Sequence, residues 1–244
     1  MMMRVLFLCV CIAGFAATQA TAQSLSIDLG DGGSVALTTI QLIVIITLLS
    51  IAPGLVVMVT CFPFLITVFA ILRQAIGLQQ SPPNMLIVSV ALFLTYFVME
   101  PVFLAAWEQG IDPLINERIT PQEGFVRGFQ PFKDFMIAQI DPDTFATMAA
   151  IRTDVVLTEP NADTPTSILI STFMLSEIAR AFQVGFLLFL PFLIIDLVVA
   201  AILMSMGMMM VPPAMVSLPF KLAFFVVADG WALVAASLVR SYQP

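Results

Sequence analysis

The sequence predicts an all-α, membrane-associated protein: helical hairpins with a small helical extracytoplasmic domain. Three observations predict it. Of 244 residues, 60% are hydrophobic and 10% charged, at a mean hydropathy of +1.06; a soluble domain carries about a quarter charged residues. The apolar blocks are interrupted by prolines rather than by charges. Between them lies one acidic stretch that bears helix-capping signals. The net charge of −7 argues against a nucleic-acid surface, which needs clustered cations. With no histidine, a Ser-His-Asp triad, a paired-histidine metalloprotease helix and a histidine-ligated haem are all excluded. A carboxylate-only or Lys-based site stays open on composition; the expectation is no enzyme, no cofactor and no metal site.

The elements follow in order. Residues 1–22 read as a cleavable signal peptide: Arg4 supplies the positive start, residues 5–17 a short apolar run, and Ala20-Thr21-Ala22 the small-x-small site, with cleavage between Ala22 and Gln23. Thirteen helical residues reach about 20 Å, short of the roughly 30 Å hydrocarbon core. Cleavage would remove Cys9 and Cys11, leaving Cys61 as a small core hydrophobe. Residues 23–39 form a polar, Gly-containing lead. Residues 40–107 form a first apolar helical pair. Its first block, residues 40–72, is about 50 Å of helix, too long for one crossing, and Pro53-Gly54 and Pro63 predict a break or bend. Its second, residues 85–107, fits one span.

Residues 108–165 change character, with ten acidic and four basic residues. Thr120-Pro121-Gln122-Glu123 reads as an N-cap, a first-turn proline and a capping-box glutamate. Asp141-Pro142 and Thr164-Pro165 repeat the cap-then-proline signature. Phe125, Phe129, Phe132 and Met136 recur at helical spacing, a stripe that must pack on something. Scarce cations agree with an extracytoplasmic, periplasm-facing placement. Residues 166–244 form a second hairpin, turned at Pro212-Pro213 next to a Met-rich run.

A few residues in the apolar blocks are costly. An Asp at a bilayer centre costs about 2.5–3.5 kcal/mol, so Asp196 needs a partner or water. Counted from the turn near Met210, Asp196 and Lys221 lie about 21 and 17 Å along antiparallel helices. This spacing predicts a buried charge pair, with a proton-relay role for Asp196 as the other reading. Glu177 and Arg180, three apart, either neutralise each other or bridge subunits. Ala228, Ala232 and Ala236 predict a small-residue packing ridge. Met208, Met209 and Met210 cannot all face one way while helical, but can as a loop at a broken helix end. They read as irregular core filling or, with several chains around an axis, as a compliant ring.

An ordered series of motifs runs through residues 42–242. It comprises Leu72-Arg73-Gln74-Ala75-Ile76-Gly77, Pro82-Pro83-Asn84, Ala91-Leu92-Phe93-Leu94-Thr95, Gln130-Pro131-Phe132-Lys133-Asp134-Phe135-Met136, and Ser176-Glu177 with Ala181-Phe182-Gln183-Val184-Gly185-Phe186. Pro191-Phe192-Leu193-Ile194-Ile195-Asp196-Leu197, Met206-Gly207-Met208-Met209-Met210-Val211-Pro212-Pro213, Leu218-Pro219-Phe220-Lys221 and Asp229-Gly230-Trp231 complete it. The series resembles the FliP family of flagellar export-gate proteins. The chain departs from the family at Thr60-Cys61-Phe62-Pro63-Phe64, which lacks a basic residue the family often has there. The resemblance implies a homo-oligomeric, pentameric ring assembled with FliQ, FliR and other membrane proteins of the export apparatus. Unfolded rod, hook and filament proteins would cross the inner membrane through it, at the flagellar basal body. It also implies a pore gasket at Met208, Met209 and Met210. The alternatives are the homologous subunit of a virulence injectisome, a secondary transporter or ion channel using Asp196, and, last, an intramembrane enzyme.

Overall fold

The computed structural model describes residues 35–78, 82–152, 159–208 and 210–242. The signal-peptide reading, with Ala22 and Gln23, lies outside them. The chain divides into two units, residues 1–50 and 51–244. All regular structure among the described residues is helical.

Helix α1, Val35–Met58, is apolar on all sides and runs through Pro53 without ending. The hydroxyls of Thr47 and Ser50 donate to the carbonyls of Ile43 (2.6 Å) and Ile46 (2.8 Å), which hides these polar groups against the helix's own backbone. The break expected at Pro53 or Pro63 falls at residues 59–61. Pro63 then sits in the first turn of α2, Phe62–Ile76, where its missing N–H costs nothing. Gly77 ends α2 in the left-handed conformation (φ 88°), its N–H donating to Gln74 O at 3.0 Å.

Helix α2 is the hub of residues 51–244. Phe64, Leu65, Val68, Phe69, Leu72, Ala75 and Ile76 are all buried, at the i, i+3/i+4 spacing of a wide apolar face. It packs mainly on α7, Thr166–Ser205, where Gly185 admits the Ile71 side chain. It also packs on α3, Asn84–Ala106. Arg73 donates to Pro82 O (3.4 Å) and to Asn84 Oδ1, tying the end of α2 to the start of α3.

A π-helical turn, Trp107–Ile111, and the short α4, Asp112–Ile115, extend α3. Helix α5, Pro121–Gln139, opens with the capping box expected at Thr120: Glu123 N donates to Thr120 Oγ1 (3.3 Å), and Thr120 N to Glu123 Oε2 (3.1 Å). It crosses the π turn at glycines; a Cβ on Gly110 would lie 2.5 Å from Gly128 Cα. Helix α6, Pro142–Ile151, is capped by Asp141, whose Oδ2 accepts from Thr144 N (2.9 Å) and Thr144 Oγ1 (2.8 Å). Those two bonds, side chain first, hold the Asp141 carboxyl below the usual carboxylate range. Thr164, by contrast, is not a cap. Helix α7 starts one residue later, with Pro165 at the N-cap, and the Thr164 hydroxyl closes a turn with Asn161.

The expected aromatic stripe divides. Met136 is fully buried and Phe129 and Phe132 partly so, while Phe125 is 75% exposed. The buried part joins Ile140, Phe145 and Ala149 against Ile168, Leu169 and Phe173 of α7, so the acidic segment shares its core with the start of that helix. At 40 residues, α7 is about 60 Å long, twice the hydrocarbon core.

The last apolar block is not one helix. Helix α8, Pro213–Val227, and α9, Gly230–Arg240, meet at 61°. Asp229 turns the corner in the left-handed conformation (φ 48°), and Gly230 leaves room for the Phe225 ring. The expected ridge is thereby interrupted, since Ala228 caps α8 while Ala232 and Ala236 lie on α9. Among the described residues, three helical stretches are long and apolar enough to cross a membrane, or four when α8 and α9 count as one bent span.

Candidate functional site

Two polar clasps and one loop hold the residues that carry chemical interest. The clasps grip α7 at Glu177–Arg180 and at Asp196, about 24 Å apart along its axis.

In the first clasp, Glu177 is fully buried and accepts a hydrogen bond from the Tyr242 hydroxyl. Arg180 Nη1 lies 3.5 Å from Glu177 Oε1 and donates to Gln139 Oε1 at 2.8 Å. Its Nη2 donates to Ser241 O (2.9 Å) and Ser241 Oγ (2.7 Å). The guanidinium also stacks on two rings, 4.8 Å from the Phe64 centroid and 4.5 Å from that of Tyr242. One side chain thus joins α2, α5, α7 and the segment after α9. Sequence spacing found Glu177 and Arg180; it missed Gln139, Ser241 and Tyr242, which lie 41 to 65 residues away along the chain. The only available signal was the need of a buried carboxylate for donors.

In the second clasp, Lys221 Nζ on α8 lies 2.6 Å from Asp196 Oδ2. The same nitrogen donates to Ala75 O at 3.2 Å, in the last turn of α2. A cation there satisfies an orphan carbonyl and meets the negative end of the helix dipole. Ser217, one turn before Lys221, donates to Asp196 Oδ1 at 2.5 Å. Lys221 is 5% exposed, whereas the Asp196 side chain retains 30% of its surface. Ser217 and Ala75 carried no sequence signal: a serine inside an apolar helix usually bonds its own backbone.

The loop follows from how α7 stops. Gly207 (φ 74°) donates to Met204 O at 3.0 Å and Met208 to Leu203 O at 3.0 Å, the paired bonds of a Schellman ending. The chain therefore leaves the helix axis at Gly207, and Pro212 and Pro213 start α8 afresh. Met208 is 41% exposed and Met210 98% exposed. Met209 lies outside the described residues. The two described methionines fill no core within this chain.

The FliP family profile matches residues 45–238, most of the chain, and takes in the loop, the second clasp and the first clasp apart from Ser241 and Tyr242. The chain belongs to the FliP family. Its relatives in that family include the flagellar biosynthetic protein FliP of Caulobacter vibrioides, 49% identical over 227 residues (92% of this chain, 84% of the relative). The protein of the same name from Aquifex aeolicus is 43% identical and covers 99% of this chain and all of its own length. That of Bacillus subtilis is 40% identical over 84% of this chain and 92% of its own. With its apolar helices, the chain is an all-α membrane protein of the FliP family.

Proposed function

We propose that this chain is a core subunit of the flagellar type III protein export gate. With copies of itself, FliQ and FliR, it forms the channel by which unfolded rod, hook and filament proteins cross the inner membrane. The observation that carries this reading is the family match over residues 45–238, joined by relatives that are named for flagellar biosynthesis over nearly their whole length. The geometry supports it. The exposed Met208 and Met210 stand at a chain reversal, where a ring of such loops would make a soft constriction. The Asp196–Lys221 clasp holds together the α7–α8 hairpin that presents the loop. Helices α1, α3 and α7 keep large apolar side chains uncovered, surface that other copies, partner subunits or lipid must cover. Residues 108–165 face the periplasm in this reading. Asp196, held by Lys221 and Ser217, acts as a structural pair.

Deletion and complementation test it, with hook protein and flagellin assayed in the medium and inside the cell. Both are lost from the medium on deletion and return on complementation. Normal secretion without the protein sinks the proposal and turns the assay to injectisome substrates.

A further inference from the structure

Helix α9 is held at its two ends and poorly filled between them. Of its residues only Gly230, Val234 and Leu238 are buried. Two clefts run along the side that faces α3. One, of about 660 Å³, separates Ala232 and Ala235 from Leu86 and Val90. The other, of about 380 Å³, separates Ala235 and Ala236 from Leu94 and Phe97. Alanines let two helices approach closely, and a packed interior leaves few voids larger than a water molecule. The α3–α9 contact has neither property, so α9 is loosely seated.

The two ends differ in kind. At the first, Asp229 joins α8 to α9 at 61°, in the left-handed conformation (φ 48°) and without a side-chain capping bond. A residue other than glycine seldom holds that backbone state, and Gly230 beside it accepts many others. Such a pair at the end of an element can absorb the dihedral changes of a hinge. At the far end, Ser241 and Tyr242 reach back into the core. Arg180 donates to Ser241 O and Oγ, and the Tyr242 hydroxyl donates to Glu177. The Tyr242 ring lies 5.6 Å from that of Phe64 and 6.0 Å from that of Phe135. These partners belong to α7, α2 and α5, so the seat of α9 depends on a fastening just beyond its own last turn.

We propose that α9 is a hinged strap, which pivots at Asp229–Gly230 and is latched by Ser241 and Tyr242. Release of the latch swings α9 away from α2 and α3 as one piece. Its own backbone hydrogen bonds and those of the helices it leaves stay intact. The motion bares Phe69, which is 1% exposed in the latched state and lines the larger cleft. Glu177 and Arg180 stand on α7, the helix that runs on to the methionine loop, so the latch ties the strap to that helix. The proposal concerns contacts within this chain, and its failure leaves the export reading untouched.

Thiol labelling of the full chain in detergent tests it, with a maleimide as probe and peptide mass spectrometry as readout. Val234→Cys puts a reporter on the buried face of α9, where the native residue is 4% exposed. Ala149→Cys puts a control in the core that α6 shares with α7, where the native residue is 5% exposed. Tyr242→Phe keeps the ring and removes the hydroxyl. It should speed labelling at Val234→Cys about tenfold, the scale of one charge-assisted hydrogen bond, and leave Ala149→Cys unchanged. Ala235→Leu fills the clefts and should slow labelling at Val234→Cys. An unchanged rate at Val234→Cys on Tyr242→Phe overturns the proposal. Equal acceleration at both thiols overturns it too, since Tyr242 would then hold the whole core. Should Tyr242→Phe not fold, Ala235→Leu decides alone: slower labelling upholds the strap, and an unchanged rate withdraws it.

Discussion

At the scale of single residues, the consequential groups are charges held out of water. Lys221 has one carboxylate and one carbonyl to satisfy, and its removal leaves Asp196 with Ser217 alone. Lys221→Met is expected to cost about 3 kcal/mol, as when one partner of a buried pair is deleted, and Lys221→Met/Asp196→Leu to regain most of it. Thermal unfolding of the purified chain in detergent reads both. Asp141 makes a prediction outside the apolar helices. Its carboxyl is held below its ordinary range by the Thr144 hydroxyl and then the Thr144 N–H, so the unfolded chain takes up the proton more readily than the folded one. The cap's contribution is complete above the unfolded value, near 4, and is lost as pH falls through the lower folded value. Protection factors of the α6 amides, taken against the intrinsic exchange rate at each pH, should fall toward pH 3 in the native protein, while Asp141→Asn should show a flatter pH response.

At the scale of elements, glycine decides how closely helices cross. A Cβ on Gly110 meets the Gly128 Cα at 2.5 Å, a backbone atom that cannot turn aside. A Cβ on Gly128 meets the Gly110 Cα at 3.5 Å, an ordinary contact. Gly110→Ala should therefore destabilise by about 1–3 kcal/mol through overpacking. Gly128→Ala should be neutral or stabilise by up to about 1 kcal/mol from helix propensity. Limited proteolysis of residues 108–165 orders the two variants, and equal protection would refute the close crossing. The cap at Thr120 was readable because its signal is local; Pro63 marked a break, but not that a new helix starts beside it at Phe62. Asp229 was harder: an Asp-Gly pair is a turn signal, yet the surrounding apolar run outweighed it. The Ala228 ridge failed with it, since helical spacing has meaning only while the helix continues.

At the scale of the molecule, the chain carries its apolar surface outward. Ile46, Leu48, Leu49, Phe93, Phe186, Leu187, Leu197 and Met210 are all more than half exposed, a distribution fit for lipid and for neighbouring subunits. If the methionine run seals a shared axis, replacing Met208, Met209 and Met210 together by Ala should raise the ion conductance of the membrane while export continues. Growth and membrane-potential dyes measure the leak. Unchanged conductance at a normal protein level would leave the run as packing.

The sequence by itself determined the class, the membrane setting, the capped starts of α5 and α6, and the family. Each depends on composition, on periodicity or on an ordered series of local motifs, and these survive without coordinates. It also placed Asp196 level with Lys221, because a proline-marked reversal fixes register by counting residues at 1.5 Å each. Only the tertiary structure decided that Lys221 also closes the end of α2 through Ala75, and that Arg180 lies against the rings of both Phe64 and Tyr242. It decided, too, that the acidic segment shares a core with α7. Those contacts join segments whose separation along the chain reaches 146 residues. No local rule relates such segments, and the demand for packing and for satisfied polar groups is met only where the helices converge.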